Sequence, residues 1–259
     1  MKLLIPFFCL CLSSCDKAEL ESSHALVSNQ DKPASNTIVV ALEENVEWGH
    51  YQFIRNGQHV GLELDLLNHI DEHSAYVFEY KVIPWKRAMK EVRKGTVDLL
   101  ISATASPKRD TFYDYTDEIY QINQLLYFDK SRHPNGFQFE QQSEISAYQT
   151  GAILGYNTDE LQFTVSHAGY RQLSVMAQAV EKEWIDFAIA YLELEKFNNH
   201  IPEQFDTVMI PDHPPLSCHW LTSNKNPRRK DILQELNKGI REIKASGRYE
   251  ALESEYSQS

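Results

Sequence analysis

The chain has 259 residues, a formal charge of −12, 42% hydrophobic and 24% charged residues. This composition is that of a globular protein and excludes a disordered, collagen-like or polytopic membrane chain. The acidic balance argues against a nucleic-acid partner, which needs clustered cations, and the length fits one large domain or two small ones.

The first fifteen residues, MKLLIPFFCLCLSSC, place Lys2 before an apolar run from Leu3 to Leu12, followed by Ser13 and Ser14. This predicts an export signal, since about ten apolar residues are too few to span a bilayer. The stretch Leu12-Ser13-Ser14-Cys15 resembles the lipobox of bacterial lipoproteins. The resemblance implies cleavage before Cys15 and acylation of Cys15, and several acyl chains anchor where one would not. Asp16 directly after it implies retention at the inner membrane, so the expected location is the periplasm, lipid-anchored to the membrane. Cys9 and Cys11 then leave with the signal, and Cys218 alone remains as a thiol. No intramolecular disulfide is expected. Residues 16–36 are polar without apolar periodicity and read as a flexible tether.

Thr37 to Leu42 is a short β-branched run, a buried strand, and Glu43 to Gln58 reads as loop and turn. Leu62, Leu66, Leu67 and Ile70 follow helical spacing, and Tyr76 to Ile83 alternates as a strand. Pro84 opens a helix that closes at Gly95. Val97 to Ile101 is a third strand, residues 102–110 a loop, and Tyr120 to Phe128 a strand. Asp129 to Gln142 is polar and reads as a transition between lobes. The rhythm then restarts: strand Thr150–Tyr156, helix Thr158–His167, helix Val175–Lys182, strand Ile185–Ala190, helix Tyr191–Asn199 and strand Thr207–Ile210. Asp212-His213-Pro214-Pro215 is a second connector, before strand Leu216–Thr222 and a long amphipathic helix Asn226–Ser246. Alternating strands and helices predict an α/β fold with a largely parallel sheet.

Three segments stand out. They are Gly61-Leu-Glu-Leu-Asp65; Pro84-Trp85-Lys86-Arg87 leading to Gly95-Thr-Val-Asp98; and Ser102-Ala-Thr104 through Arg109 to Phe112-Tyr113-Asp114. In this order they resemble the periplasmic solute-binding proteins of the polar-amino-acid family, family 3 of the ABC-importer receptors. The resemblance covers Thr37 to about Ser246. It implies a two-lobed periplasmic-binding-protein fold joined by two crossover strands, with lobe one at 37–124 plus 218–259 and lobe two at 125–217. It also implies a small carboxylate-bearing or amino-acid-like ligand, captured between the lobes and delivered to an ABC permease. A monomer is expected, with no cofactor.

The resemblance places Arg109 at the carboxylate-binding arginine, and a planar guanidinium suits a two-bond grip on a carboxylate. The alternative is an ion pair with Asp110 or Asp114. Ser102 and Thr104, read as loop residues after a strand end, would add donors. Trp85 would pack over the ligand or in the core. Glu43 would meet a ligand ammonium or solvent, and Arg87 would add a cationic contact or stay solvated. Gly155, Tyr156, Asn157 and Thr158 would form the turn whose N–H groups meet the ligand carboxylate at a helix N-terminus, or simply cap that helix. Tyr191 stands where relatives that bind α-amino acids carry an Asp for the ligand ammonium. A phenol carries no charge at neutral pH, so the usual ammonium clamp is missing.

Other classes fit less well. The ten histidines suggest no metal centre, and no Gly-rich phosphate loop occurs. Cys218 and His219 are strand neighbours that point to opposite faces, so a catalytic pair is not expected and Cys218 reads as a buried packing thiol. Catalysis like that of the cyclohexadienyl dehydratases, which resemble this fold, or ligand sensing for a membrane receptor, are the alternatives.

Overall fold

The computed structural model describes residues 36–191 and 203–257. Cys15, the signal, residues 16–35 of the expected tether and residues 192–199 of the expected helix lie outside the described residues.

The first sheet is built from β1 (Thr37–Glu43), β5 (Val77–Ile83), β6 (Leu99–Thr104), β7 (Tyr113–Tyr115), β8 (Tyr120–Ile122) and β14 (Leu216–Ser223). Its order is β5-β1-β6-β14-β7, with β8 also on β14. β1 runs parallel to β5 and β6, and β14 is antiparallel to its neighbours. β6 is buried at every position, which is why it reads as one apolar run instead of an alternation. Helices α1 (Leu62–His73), α6 (Arg229–Ala245) and α7 (Arg248–Ser257) supply Leu66, Leu67, Leu236, Ile240 and Leu252 to the core around Trp220. Helix α2 (Trp85–Lys94) supplies Ala88 and Val92 to a separate cluster with Ala41, Leu100 and Leu221, and it ends in the left-handed Gly95.

The second sheet holds β9 (Gln124–Asp129), β10 (Thr150–Ile153), β11 (His167–Tyr170), β12 (Phe187–Tyr191) and β13 (Phe205–Met209), in the order β11-β10-β12-β9-β13. Helix α5 (Leu173–Glu181) packs Met176, Ala179 and Val180 against it. Only Asn123 separates β8 in the first sheet from β9 in the second. The chain returns through residues 210–215 to β14, which pairs with β8. Two adjacent crossings between two bodies form a hinge and give the two-lobed periplasmic-binding-protein architecture.

Several expectations change. Residues 43–58 are not only loop: β2 (Glu47–Trp48), β3 (Gln52–Arg55) and β4 (Gln58–Val60) form a small antiparallel sheet. Ser102 and Thr104 belong to β6, not to a loop; the loop shrinks to one turn at α3 (Pro107–Asp110). Residues 129–142 do not bridge the lobes, because Phe137 and Phe139 pack on Phe187 of the second sheet. They lead to the short α4 (Gln142–Ile145). Residues 158–166 are turns and bends, not a helix, and His167 already opens β11. Leu161, Phe163 and Val165 recur at spacing two and join one apolar cluster, a period a helix cannot bury on one side.

One glycine is dictated by its surroundings. Gly61 precedes α1 with φ 131°, and a Cβ there would lie 2.5 Å from the Tyr51 carbonyl oxygen. Gly61→Ala is expected to lower unfolding stability by more than ~2 kcal/mol in denaturant titration, because strain and backbone overlap add.

Candidate ligand-binding cleft

Between the lobes lies a cavity of about 240 Å³. That is slightly below the ~300–1,000 Å³ of pockets for drug-sized ligands, so it suits one small solute. Glu43, Trp85, Ser102, Thr104, Arg109 and Tyr156 line it. The structure thus gathers six of the nine expected binding residues at one wall or the other.

Most are delivered by a strand end or helix start, and Tyr156 by the turn after β10. Glu43 ends β1, Trp85 opens α2, Thr104 ends β6 and Arg109 sits in α3, whose first turn is capped by Ser106. The Arg109 Nη1 donates to the Thr104 carbonyl at 2.7 Å and to its Oγ1 at 2.9 Å. Its Nη2 donates at 2.9 Å to the Gly155 carbonyl in the other lobe. The expected ion pair does not form: Arg229 takes Asp114, and the Arg109 guanidinium is committed to Thr104 and Gly155. Arg87 is a helix-surface charge held by Glu91 at 2.6 Å.

Trp85 faces Gly155 across the cleft: a Cβ on Gly155 would meet the indole Nε1 at 2.7 Å, with φ at +99°. Gly155→Ala is therefore expected to weaken ligand binding about tenfold, because the overlap with Trp85 exists only where the lobes meet, and its positive φ also lowers the melting temperature of the free protein. Calorimetry beside a thermal scan checks both.

Asn157, Thr158 and Tyr191 stand outside the lining. The Tyr191 side chain is fully buried and its hydroxyl accepts the Asn157 N–H at 3.1 Å. Burial pushes its phenol well above the ordinary range. Its ring packs against Tyr156 at 4.3 Å and Trp48 at 5.3 Å. The Asn157 Nδ2 donates to the Ala105 carbonyl at 3.0 Å, tying lobe two to lobe one. No helix begins at Thr158, so the helix N-terminus expected there is absent. The helix end that does line the cleft is that of α5, through Gln172 and Leu173, with Arg171 just before it.

Glu47, Trp48, Arg171 and Gln172 also line the walls and were not expected from sequence. Trp48 lies in a polar stretch where an aromatic is conspicuous; nothing in the sequence near Arg171 marks it. Burial, and then the neighbouring charge of Glu47, push the Glu43 carboxyl up to about 7.

Elsewhere, the Cys218 thiol is fully buried. His69 and His73 stand four apart on α1 with ring centroids 4.3 Å apart, a pairing the sequence reading passed over. Among the described residues no group of three or more His, Cys, Asp or Glu is arranged to hold a metal. No described helix is long and apolar enough to cross a membrane.

The profile of the bacterial extracellular solute-binding proteins, family 3, matches residues 38–259. The chain belongs to this family. It is 21% identical over 258 residues to a probable histidine-binding protein of Campylobacter jejuni, covering 98% of this chain and 96% of that one. In fold, the family-3 chain resembles an amino acid ABC transporter substrate-binding protein of Streptococcus pneumoniae bound to L-arginine. The TM-score is 0.69 at 17% identity, over 86% of this chain and 95% of that one. It resembles equally a histidine kinase sensor domain, with TM-score 0.69 at 14% identity over 85% and 95% of the two chains. The protein is an extracytoplasmic solute-binding protein.

Proposed function

We propose that the cleft captures a zwitterionic, amino-acid-like solute for delivery to an ABC importer, with the solute carboxylate on Arg109 and its cationic group at Glu43. The observation that carries this reading is the placing of a guanidinium and an acidic pair, Glu43 with Glu47, on the walls of one small cavity. Trp48, Trp85 and Tyr156 supply faces for a side chain or a cation. The cation pole lies on lobe one, because lobe two offers the buried Tyr191 where an acidic residue would be needed. Arg171 beside the α5 N-terminus gives lobe two an anion-favouring rim.

Relatives described as histidine-binding, and neighbours solved with arginine or histidine, support this ligand class. We read the two bodies as residues 37–124 with 218–259, and 125–217. We also read the cleft as binding without catalysis, and the chain as a monomer tethered through lipid on Cys15. The test is a thermal-shift screen of the soluble body against amino acids, carboxylates and polyamines. A true ligand at a hundredfold excess over Kd adds about 2.7 kcal/mol of stability. A response to plain carboxylates or plain amines but to no zwitterion would overturn the two-pole reading.

A further inference from the structure

Beneath the cleft floor lies a carboxylate that the binding reading does not use. Glu63, on the first turn of α1, is fully buried. Neutral donors converge on it: the Ser102 hydroxyl at 3.0 Å, the Trp220 indole at 3.1 Å, the Tyr120 hydroxyl and the Ser102 backbone N–H. Two of these contacts lead to the cavity wall. Ser102 lines the cavity itself. The Tyr120 hydroxyl accepts the Trp48 indole N–H at 2.7 Å, and Trp48 is also a lining residue.

The backbone at Ser102 shows why an anchor is needed. Leu221 pairs with Leu100 and His219 with Ala103, so Ile101 and Ser102 together oppose Trp220 alone. This is a β-bulge, the device that re-aims a side chain beside a site. Ser102 sits in it with φ 59°, a left-handed conformation that a serine adopts at a cost. Both acceptors of its hydroxyl, Glu63 Oε2 and Gln52 Oε1 at 3.1 Å, lie on the buried side. A hydroxyl has one proton. Committed inward, it leaves only lone pairs for the cavity.

We propose that Glu63 is a positioning residue of the cleft: it holds Ser102 in the bulge as a hydrogen-bond acceptor toward the ligand and, through Tyr120, holds the Trp48 indole in place. Ser102 then recognises a ligand N–H donor, and not the carboxylate. This rests on the reading of the cleft as a site for a zwitterion.

The test compares wild type, Glu63→Gln, Ser102→Ala and the double variant by calorimetry with L-arginine and L-histidine. Glu63→Gln is expected to weaken binding about ten- to hundredfold, the range for leaving a buried hydrogen-bonding group mispaired. Its amide can donate to Ser102 and turn the serine proton outward. Ser102→Ala is expected to lose a similar amount, and the double variant no more than the larger single loss, since one linkage is cut twice. Losses that add, or unchanged binding in Glu63→Gln, would overturn the proposal. The linkage has its own readout in the ligand-free protein. The Trp48 indole N–H resonance, whose hydrogen bond goes to Tyr120 and not to residue 63, is expected to move in Glu63→Gln and in Tyr120→Phe. An unmoved Trp48 signal in either variant overturns the linkage. If wild type binds neither these two nor any other zwitterion of the screen while the Trp48 signal moves in both variants, the ligand reading fails and the positioning role stands. Should Glu63→Gln fold poorly, Ser102→Ala and Tyr120→Phe cut the two branches separately.

Discussion

Arg109→Ala is expected to reduce ligand affinity about a hundredfold or more, the scale for truncating one partner of a buried, hydrogen-bonded charge pair. Two effects add. The solute carboxylate loses its cation, and the Gly155 carbonyl in lobe two loses a donor that reaches it from lobe one at 2.9 Å. The same side chain thus ties ligand recognition to lobe closure. Arg109→Lys keeps the charge but not the planar fork that serves Thr104 and Gly155 together, so it should recover only part of the loss. Calorimetry with the strongest hit of the ligand screen checks both variants. A thermal scan without ligand separates binding from folding. Arg109→Ala with wild-type affinity would remove the carboxylate grip from the site.

The second large effect is a pH dependence. In the folded protein Glu43 titrates at about 7, raised from an ordinary 4.5 by burial and then by Glu47. The sign for stability follows. An acid whose folded value lies above its unfolded value holds its proton more tightly when folded. The cost of ionising it is absent below pH 4.5, grows between 4.5 and 7, and is fully present above 7. Ligand binding has the opposite slope, because a cation at Glu43 favours the ionised form. Affinity for a cationic or zwitterionic solute should rise with pH toward 7, by up to about tenfold per pH unit, and then level off. At pH 6 binding should release a proton, visible as a dependence of the calorimetric heat on buffer ionisation enthalpy. Glu43→Gln should bind more weakly, with a flat profile and no proton release. A flat profile in the wild type would place the solute cation elsewhere.

These expectations join residues of unequal legibility. Arg109, Ser102 and Thr104 were readable because they share one short segment with recognisable spacing, and folding keeps neighbours in sequence near each other. Strands such as Thr37–Glu43 and Leu99–Thr104 were readable because continuous apolar runs must be buried. The small sheet at residues 47–60 was not, since strands of two to four residues are too short to show a burial pattern. The helix expected at 158–167 failed because its polar composition concealed a period of two. Tyr191, expected where a charged partner would stand, faces Asn157 and the aromatic cluster instead of the cavity.

By itself the sequence determined the architecture and the kind of site. Apolar periodicity sets which elements form, and a few side chains of fixed chemistry, Arg109 above all, set what a cleft between them can hold. Only the tertiary structure decided which side chains meet at the cleft and what supports them. It brought Glu43 and Glu47 into one wall, carried Arg171 to the opposite rim and drove Glu63 beneath Ser102, 39 positions away along the chain. Such pairings depend on sheet order, the bulge in β6 and the hinge between lobes. No local pattern encodes them, because burial and charge act through space and not along the chain.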